Sequence, residues 1–180
     1  VLFRRQRQMC IRDRCGCVDC RQALEWCAKK GAVRPVSLPE LIYVKSDIIA
    51  VNGIQFIRAF QLRPEARSTR LYCNKCFSII GVDHKSYKNS VFMFFKNHCS
   101  TTCDLSLNPS AAIYLKDLEE TDEINKLKSI PLIYTFSEAE FWLFRSIEAV
   151  SKSFSDTNRP RSGQNLKSVI QSLGEIEIVN

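Results

Sequence analysis

Five of the nine cysteines in this 180-residue chain fall into two tight clusters, and these clusters constrain it more than any other feature. Cys15, Cys17 and Cys20 form C-x-C-x-x-C, and Cys73 and Cys76 form C-x-x-C. Disulfides are the first alternative to weigh, and three observations oppose them. Nine is an odd number, the first residues lack the apolar h-region of a secretory signal, and the spacings are those of metal ligands. Thiols in C-x-C bridge poorly to one another but chelate well. The expectation is a reduced, cytoplasmic protein.

Zinc takes four tetrahedral ligands and is well served by thiolates. A C-x-x-C on a tight turn after a strand brings two sulfurs to one ion, and Asn74 and Lys75 are turn-tolerant residues between Cys73 and Cys76. Three thiols within six residues behave differently. Cys15, Cys17 and Cys20 can hold one zinc and leave its fourth position open, as in sites that bind or activate a ligand. A helix is expected to begin at this cluster, so its N-terminal N–H groups would favour thiolates there, and Arg21 adds positive charge. An open zinc of this kind can hold an incoming thiol as thiolate. A second assignment uses spacings that zinc accepts equally: Cys15, Cys17, Cys73 and Cys76 in one closed site, with Cys20 spare.

Residues 1–14 read VLFRRQRQMCIRDR and show neither helical period nor turn logic. MCIRDR resembles the translated adapter sequence found at the ends of some metagenomic gene calls. The segment is expected to be a non-native or disordered leader, with native sequence starting near Cys15. It carries five of the 26 basic and one of the 19 acidic residues, so setting it aside leaves 21 against 18 and lowers the net charge from +7 to +3. The basic character then no longer calls for a nucleic-acid partner. The longest apolar run, Val91 to Phe95, is far short of the roughly 20 residues of a membrane helix.

A helix is expected over Asp19–Lys30, with Ala23, Leu24, Cys27 and Ala28 facing inward and Gly31 ending it. Strands are expected over Leu41–Val51 and Ile54–Leu62, joined at Asn52-Gly53 as a hairpin. Further strands are expected over Thr69–Cys73, Phe77–Val82, Ser90–Phe95, Ala111–Leu115 and Leu132–Phe136. Helices are expected over Leu118–Leu127, from the capping box Ser137-x-x-Glu140 to about Ser151, and over Asn165–Leu173. Ser153–Gln164 reads as a linker, and Ile176–Val179 as a loose strand. The fold class is α+β, mostly β. The domain plan is a leader at 1–14, a zinc-binding domain at 15–136 and a C-terminal helical extension at 137–180.

The segments CGCVDCR at 15–21 and LYCNKC at 71–76, with Asn52-Gly53 and Ile57-Arg58-Ala59-Phe60 between them, resemble the glutathione-dependent formaldehyde-activating enzyme family, which includes centromere protein V. The resemblance covers roughly Cys15 to Phe95 and points to an uncharacterised side branch. It implies the Mss4-like zinc-binding β fold, an activity-linked zinc on Cys15, Cys17 and Cys20, and a structural zinc on Cys73 and Cys76. The family completes that structural site with an early C-x-C, which this chain lacks; Cys10 alone does not replace it. Phe77 stands where the family has glycine after the knuckle. The implied chemistry is that of a carbon–sulfur lyase acting on glutathione or other thiol adducts. The alternative is a non-catalytic, zinc-stabilised binding or scaffold module, since the family also serves such roles.

Several residues have more ordinary readings. His98, Cys99 and Cys103 form a loose group read as core or surface. Cys27 reads as a buried hydrophobe. His84 reads as a turn residue that can line a pocket beside the knuckle. Lys85, Tyr87 and Lys88 read as a solvated loop that can meet an acidic substrate. Trp142 reads as a core cover.

Overall fold

The computed structural model describes residues 11–48, 52–89, 91–98, 109–118, 127, 130, 132–133 and 164–179. The helices expected over Ser137–Ser151 and most of Leu118–Leu127 lie outside the described residues, as do Trp142, Cys10, Cys99 and Cys103.

The strands, in chain order, are β1 (Ile11–Cys15), β2 (Glu40–Lys45), β3 (Asp47–Ile48), β4 (Ile57–Gln61), β5 (Ser68–Cys73), β6 (Ile79–His84), β7 (Val91–Phe95), β8 (Ala111–Ile113), β9 (Leu132–Ile133), β10 (Gln164–Asn165) and β11 (Glu177–Ile178). Among the described residues the α-helices are α1 (Val18–Lys29) and α2 (Leu166–Ser172). Among the described residues, nine strands form one sheet in the order β11-β4-β5-β6-β7-β2-β1-β8-β9, and β10 pairs with β3 separately. The middle of the sheet is antiparallel; β1–β8, β8–β9 and β4–β11 are parallel pairs. The chain is thus mostly β-sheet with a few helices. Among the described residues, no helix is long and apolar enough to cross a membrane.

Both faces of the sheet are covered, which explains why β7 is apolar at every position. Successive strand side chains point to opposite faces. Val91, Met93 and Phe95 join Leu41, Tyr43, Phe60 and Tyr72 beneath α1. Phe92 and Phe94 join Ile42, Val44, Leu71 and Leu166 on the opposite face, with Ile170 of α2 packed against them. Ala23, Leu24 and Cys27 bury the inner stripe of α1, whereas Ala28, expected on that stripe, is only half-buried. Trp26 stacks at 4.5 Å on Phe60 and meets Tyr72 edge-on at 5.2 Å. Truncating Leu24 to Ala would cost roughly 2–5 kcal/mol by opening a cavity here. The helix stops at Gly31, which takes φ +114°.

Three expectations are corrected. First, Ile11–Arg14 is not a leader outside the fold: β1 pairs with both β2 and β8, and Arg12 and Asp13 are buried. Arg12 is ion-paired to Glu40, which also accepts from Lys96 at 3.1 Å, so the charge of Arg12 is answered inside the sheet. Second, Asn52-Gly53 turns the chain, with Gly53 left-handed at φ 81°, but joins no hairpin among the described residues. The expected first strand, β2, pairs with β1 and β7, and β4 pairs with β5 and β11. Third, residues 164–179, expected as part of an extension beyond a domain ending at 136, pack into the main sheet. Leu166 and Val169 are buried, and β11 extends the main sheet beside β4.

Candidate metal centre and its cavity

Cys15 is the last residue of β1, Cys17 is the N-cap of α1, and Cys20 lies in the first helical turn. The strand therefore runs almost directly into the helix, with Gly16 as the link. A side chain is excluded at Gly16: a Cβ there would lie 2.9 Å from Leu118 Cγ and 3.0 Å from the Tyr114 carbonyl oxygen. The Gly16 N–H donates to Ile113 O at 2.9 Å, and the Cys15 N–H to Pro39 O at 2.9 Å. The bend is thereby held from both sides.

This path brings the three sulfurs within 4.8 Å of one another, close enough to hold a metal ion. Cys73 and Cys76 are not part of the group, so the closed Cys15–Cys17–Cys73–Cys76 site does not form. The donors suit a thiophilic divalent ion: three convergent thiols, two of them buried, at a helix start whose free N–H groups favour negative charge. The Cys17 sulfur accepts the Cys20 backbone N–H at 3.3 Å. Hydrogen bonds from the Cys15 and Cys20 thiols, followed by that backbone bond and the charge of Arg70, hold Cys17 down to about 3. Cys15 and Cys20 sit well above the ordinary thiol value, because each shares its proton with a neighbouring sulfur in a buried place.

The cysteines form one wall of a cavity of about 310 Å³. Leu41, Val82, Met93 and Ile113 supply apolar wall, and Tyr43, Tyr87 and Tyr114 line it with aromatic rings. Its polar groups include Ser68, Arg70, His84, Ser86, Asp19 and Asp117. The sheet register explains their grouping. Ser68 lies opposite His84 and Arg70 opposite Val82, so alternate residues of β5 and β6 face the start of α1 together. The His84 Nδ1 accepts the Ser86 N–H at 3.1 Å, which leaves the proton of the neutral ring on Nε2. Burial, then the charges of Arg67 and Arg70, push His84 down to about 4, so the ring is neutral near pH 7. Burial, and then the nearby cysteines, push Tyr114 up to about 12.

The C-x-x-C pair sits on the turn between β5 and β6. The Phe77 N–H closes this turn onto Cys73 O at 2.8 Å, and Phe77 takes φ 55°, a conformation that favours glycine. Its ring stacks on Tyr72 at 6.1 Å. Cys76 is exposed and held below its usual value, first by its hydrogen bond with Ser78. Lys75 lies over the Phe56 ring at 3.8 Å.

The other singled-out residues separate cleanly. Cys27 is core. Tyr87 lines the cavity, whereas Lys85 and Lys88 do not. Arg21 donates to the Asp117 carbonyl oxygen rather than to sulfur. His98 meets Phe95 edge-on at 6.1 Å, and burial lowers it. Sequence reading did not single out Arg70; its one signal was a charged residue alternating with Ser68 and Tyr72 in a strand leading to the knuckle. No protein-family model, curated protein or solved structure matches the chain.

Proposed function

We propose that the chain is a zinc protein in which Cys15, Cys17 and Cys20 hold the ion and the adjoining cavity receives a small thiol or thiol adduct. The observation that carries this reading is the placement of three sulfurs within 4.8 Å of one another in the wall of a cavity. Three protein ligands and an adjoining space are the pattern of a zinc with an open position. When bound, zinc supplies Lewis acidity that keeps a thiol sulfur as thiolate at neutral pH.

The finer reading is carbon–sulfur lyase chemistry on glutathione or a related thiol, within an Mss4-like fold of the formaldehyde-activating type. The spacing C-x-C-x-x-C-R, the separate C-x-x-C knuckle and the left-handed Phe77 at a glycine position support it. In the synthetic direction, the thiolate sulfur forms a bond to the aldehyde carbon, and the carbonyl electron pair moves onto oxygen. That oxygen takes a proton from water, matching the one the thiol gave up. His84 fits a supporting part: a neutral ring with its proton on Nε2 donates a hydrogen bond to the oxygen as charge develops, without ionising. Tyr43, Tyr87 and Tyr114 shield that bond from water.

The test is zinc content of the purified chain and of Cys20→Ser, followed by the rate of S-hydroxymethylglutathione formation from formaldehyde and glutathione. Zinc in the parent chain, lost in the variant, with a rate above the uncatalysed one is the expected result. Zinc content unchanged by Cys20→Ser overturns the ligand assignment. Zinc bound without turnover of any thiol adduct replaces the enzyme by a zinc-stabilised binding module.

A further inference from the structure

Arg70 is the largest fully buried side chain among the described residues, at 2% exposure. It belongs to β5, faces the start of α1 and lines the cavity beside the three cysteines. Its Nη2 makes one long contact, to the backbone oxygen of Asp19 at 3.4 Å. Its Nε and Nη1 are buried and meet no acceptor. The nearest carboxylate on that contact is already engaged: both oxygens of Asp19 accept from Arg63 at 2.9 Å. Among the described residues no carboxylate pairs with Arg70. A buried guanidinium without a countercharge is costly enough that proteins rarely keep one.

The countercharge is the cysteine set. Three thiolates around a divalent ion carry a net single negative charge, and they lie in the wall that Arg70 shares. Zinc takes its sulfur ligands as thiolates, so a loaded site gives Arg70 a fixed partner. The other charged groups around the site do not take this place. Asp117 receives the Val18 N–H at 3.5 Å, and Arg67 donates to Ser86 Oγ at 2.7 Å.

Resting on the zinc reading above, we propose that Arg70 is the internal countercharge of the metal–thiolate set, a positioning residue that strengthens ion binding and leaves the loaded site near neutral, so that an anionic sulfur can enter beside it. The inference assigns Arg70 no contact with substrate. It predicts that the charge at position 70, rather than the bulk of the side chain, sets zinc affinity, which a purely structural role would not produce.

The experiment compares the parent chain with Arg70→Met, which keeps the length and removes the charge, and Arg70→Lys, which keeps the charge. Zinc affinity is measured by competition with a chromophoric chelator, and thermal unfolding is followed with and without zinc. Arg70→Met is expected to bind zinc at least about tenfold more weakly, the scale seen when a metal site loses a supporting partner. Zinc is expected to raise its melting temperature less than it raises the parent's, and Arg70→Lys is expected to recover most of the affinity. Equal zinc affinity in Arg70→Met, or no recovery of affinity in Arg70→Lys, overturns the role of Arg70 while leaving the cysteine site standing. If Arg70→Met does not fold, Arg70→Gln with the same two readouts decides. A parent chain that binds no zinc overturns the site reading, and Arg70 with it.

Discussion

The Cys17 sulfur accepts the backbone N–H of Cys20 at 3.3 Å, so α1 starts on one of the cysteines that can hold its metal. The same atom caps the helix and faces the cluster, and substitutions can separate these two duties. Serine is among the best N-cap residues. Cys17→Ser is therefore expected to keep the helix while losing zinc by more than the roughly 10–100-fold that an outer partner is worth. Cys17→Ala loses both, and is expected to cost about 1 kcal/mol more in the metal-free protein than Cys17→Ser. Urea unfolding of the metal-free forms, with zinc competition on the same samples, checks the pair. Equal stability of the serine and alanine variants would remove the capping duty.

Gly16 is the second geometric requirement. Its missing side chain lets the segment from Tyr114 to Leu118 lie against the link between β1 and α1. Gly16→Ala is expected to destabilise the chain by roughly 1–3 kcal/mol through overpacking and to weaken metal binding as the cysteines shift. Thermal unfolding and zinc competition test this together. An alanine variant with parental stability would show that Leu118 moves aside without consequence.

These local requirements also show what the sequence could and could not reveal. C-x-C-x-x-C is self-contained: a strand end, an N-cap and a first helical turn bring the three thiols together by short-range geometry alone. The stripe Ala23, Leu24 and Cys27 was legible for the same reason, since helical period is a local property. Strand pairing is not local. The turn at Asn52-Gly53 was read correctly as a turn, yet β2 pairs with β1 and β7 across long separations that no turn signal encodes. Charge burial was hidden in the same way. Arg12 and Asp13 looked like solvated leader until Glu40 was placed beside Arg12, and Arg70 gained meaning only when β5 was set under the start of α1.

Metal uptake should release protons in a countable way. Cys17 is ionised in the metal-free chain, while Cys15 and Cys20 hold protons at neutral pH. Zinc requires thiolates, so loading at pH 7 is expected to release about two protons per ion. Calorimetric titrations in buffers of different ionisation enthalpy measure that number. A release near three would mean that Cys17 is protonated before loading, and a release near zero would mean that the ion binds elsewhere.

Asp13 makes the last prediction, and its sign differs from that of most acidic groups. Burial pushes its carboxyl up from 3.8 to about 7, against an opposing hydrogen bond with Tyr43. Between those two values the folded chain holds a proton that the unfolded chain has lost. The contribution of Asp13 to stability is therefore full below pH 4, falls as the pH rises, and is gone above pH 7. The span corresponds to about 4 kcal/mol. Asp83, raised to about 6, acts in the same direction, whereas His84, lowered to about 4, acts oppositely between pH 4 and 6.5. The pH dependence of the parent alone therefore mixes these groups with others, Cys17 and His98 among them, and a difference between two chains isolates one. Asp13→Asn stays neutral throughout. It is expected to match the parent within about 1 kcal/mol at pH 4, allowing for the ordinary effect of a single substitution. At pH 8 it is expected to be the more stable chain by a few kcal/mol. Urea unfolding of both chains at pH 4, 6 and 8 measures the difference. A gap that does not widen with pH would show that Asp13 is solvated or newly paired when ionised, and that β1 does not keep it buried between β2 and β8.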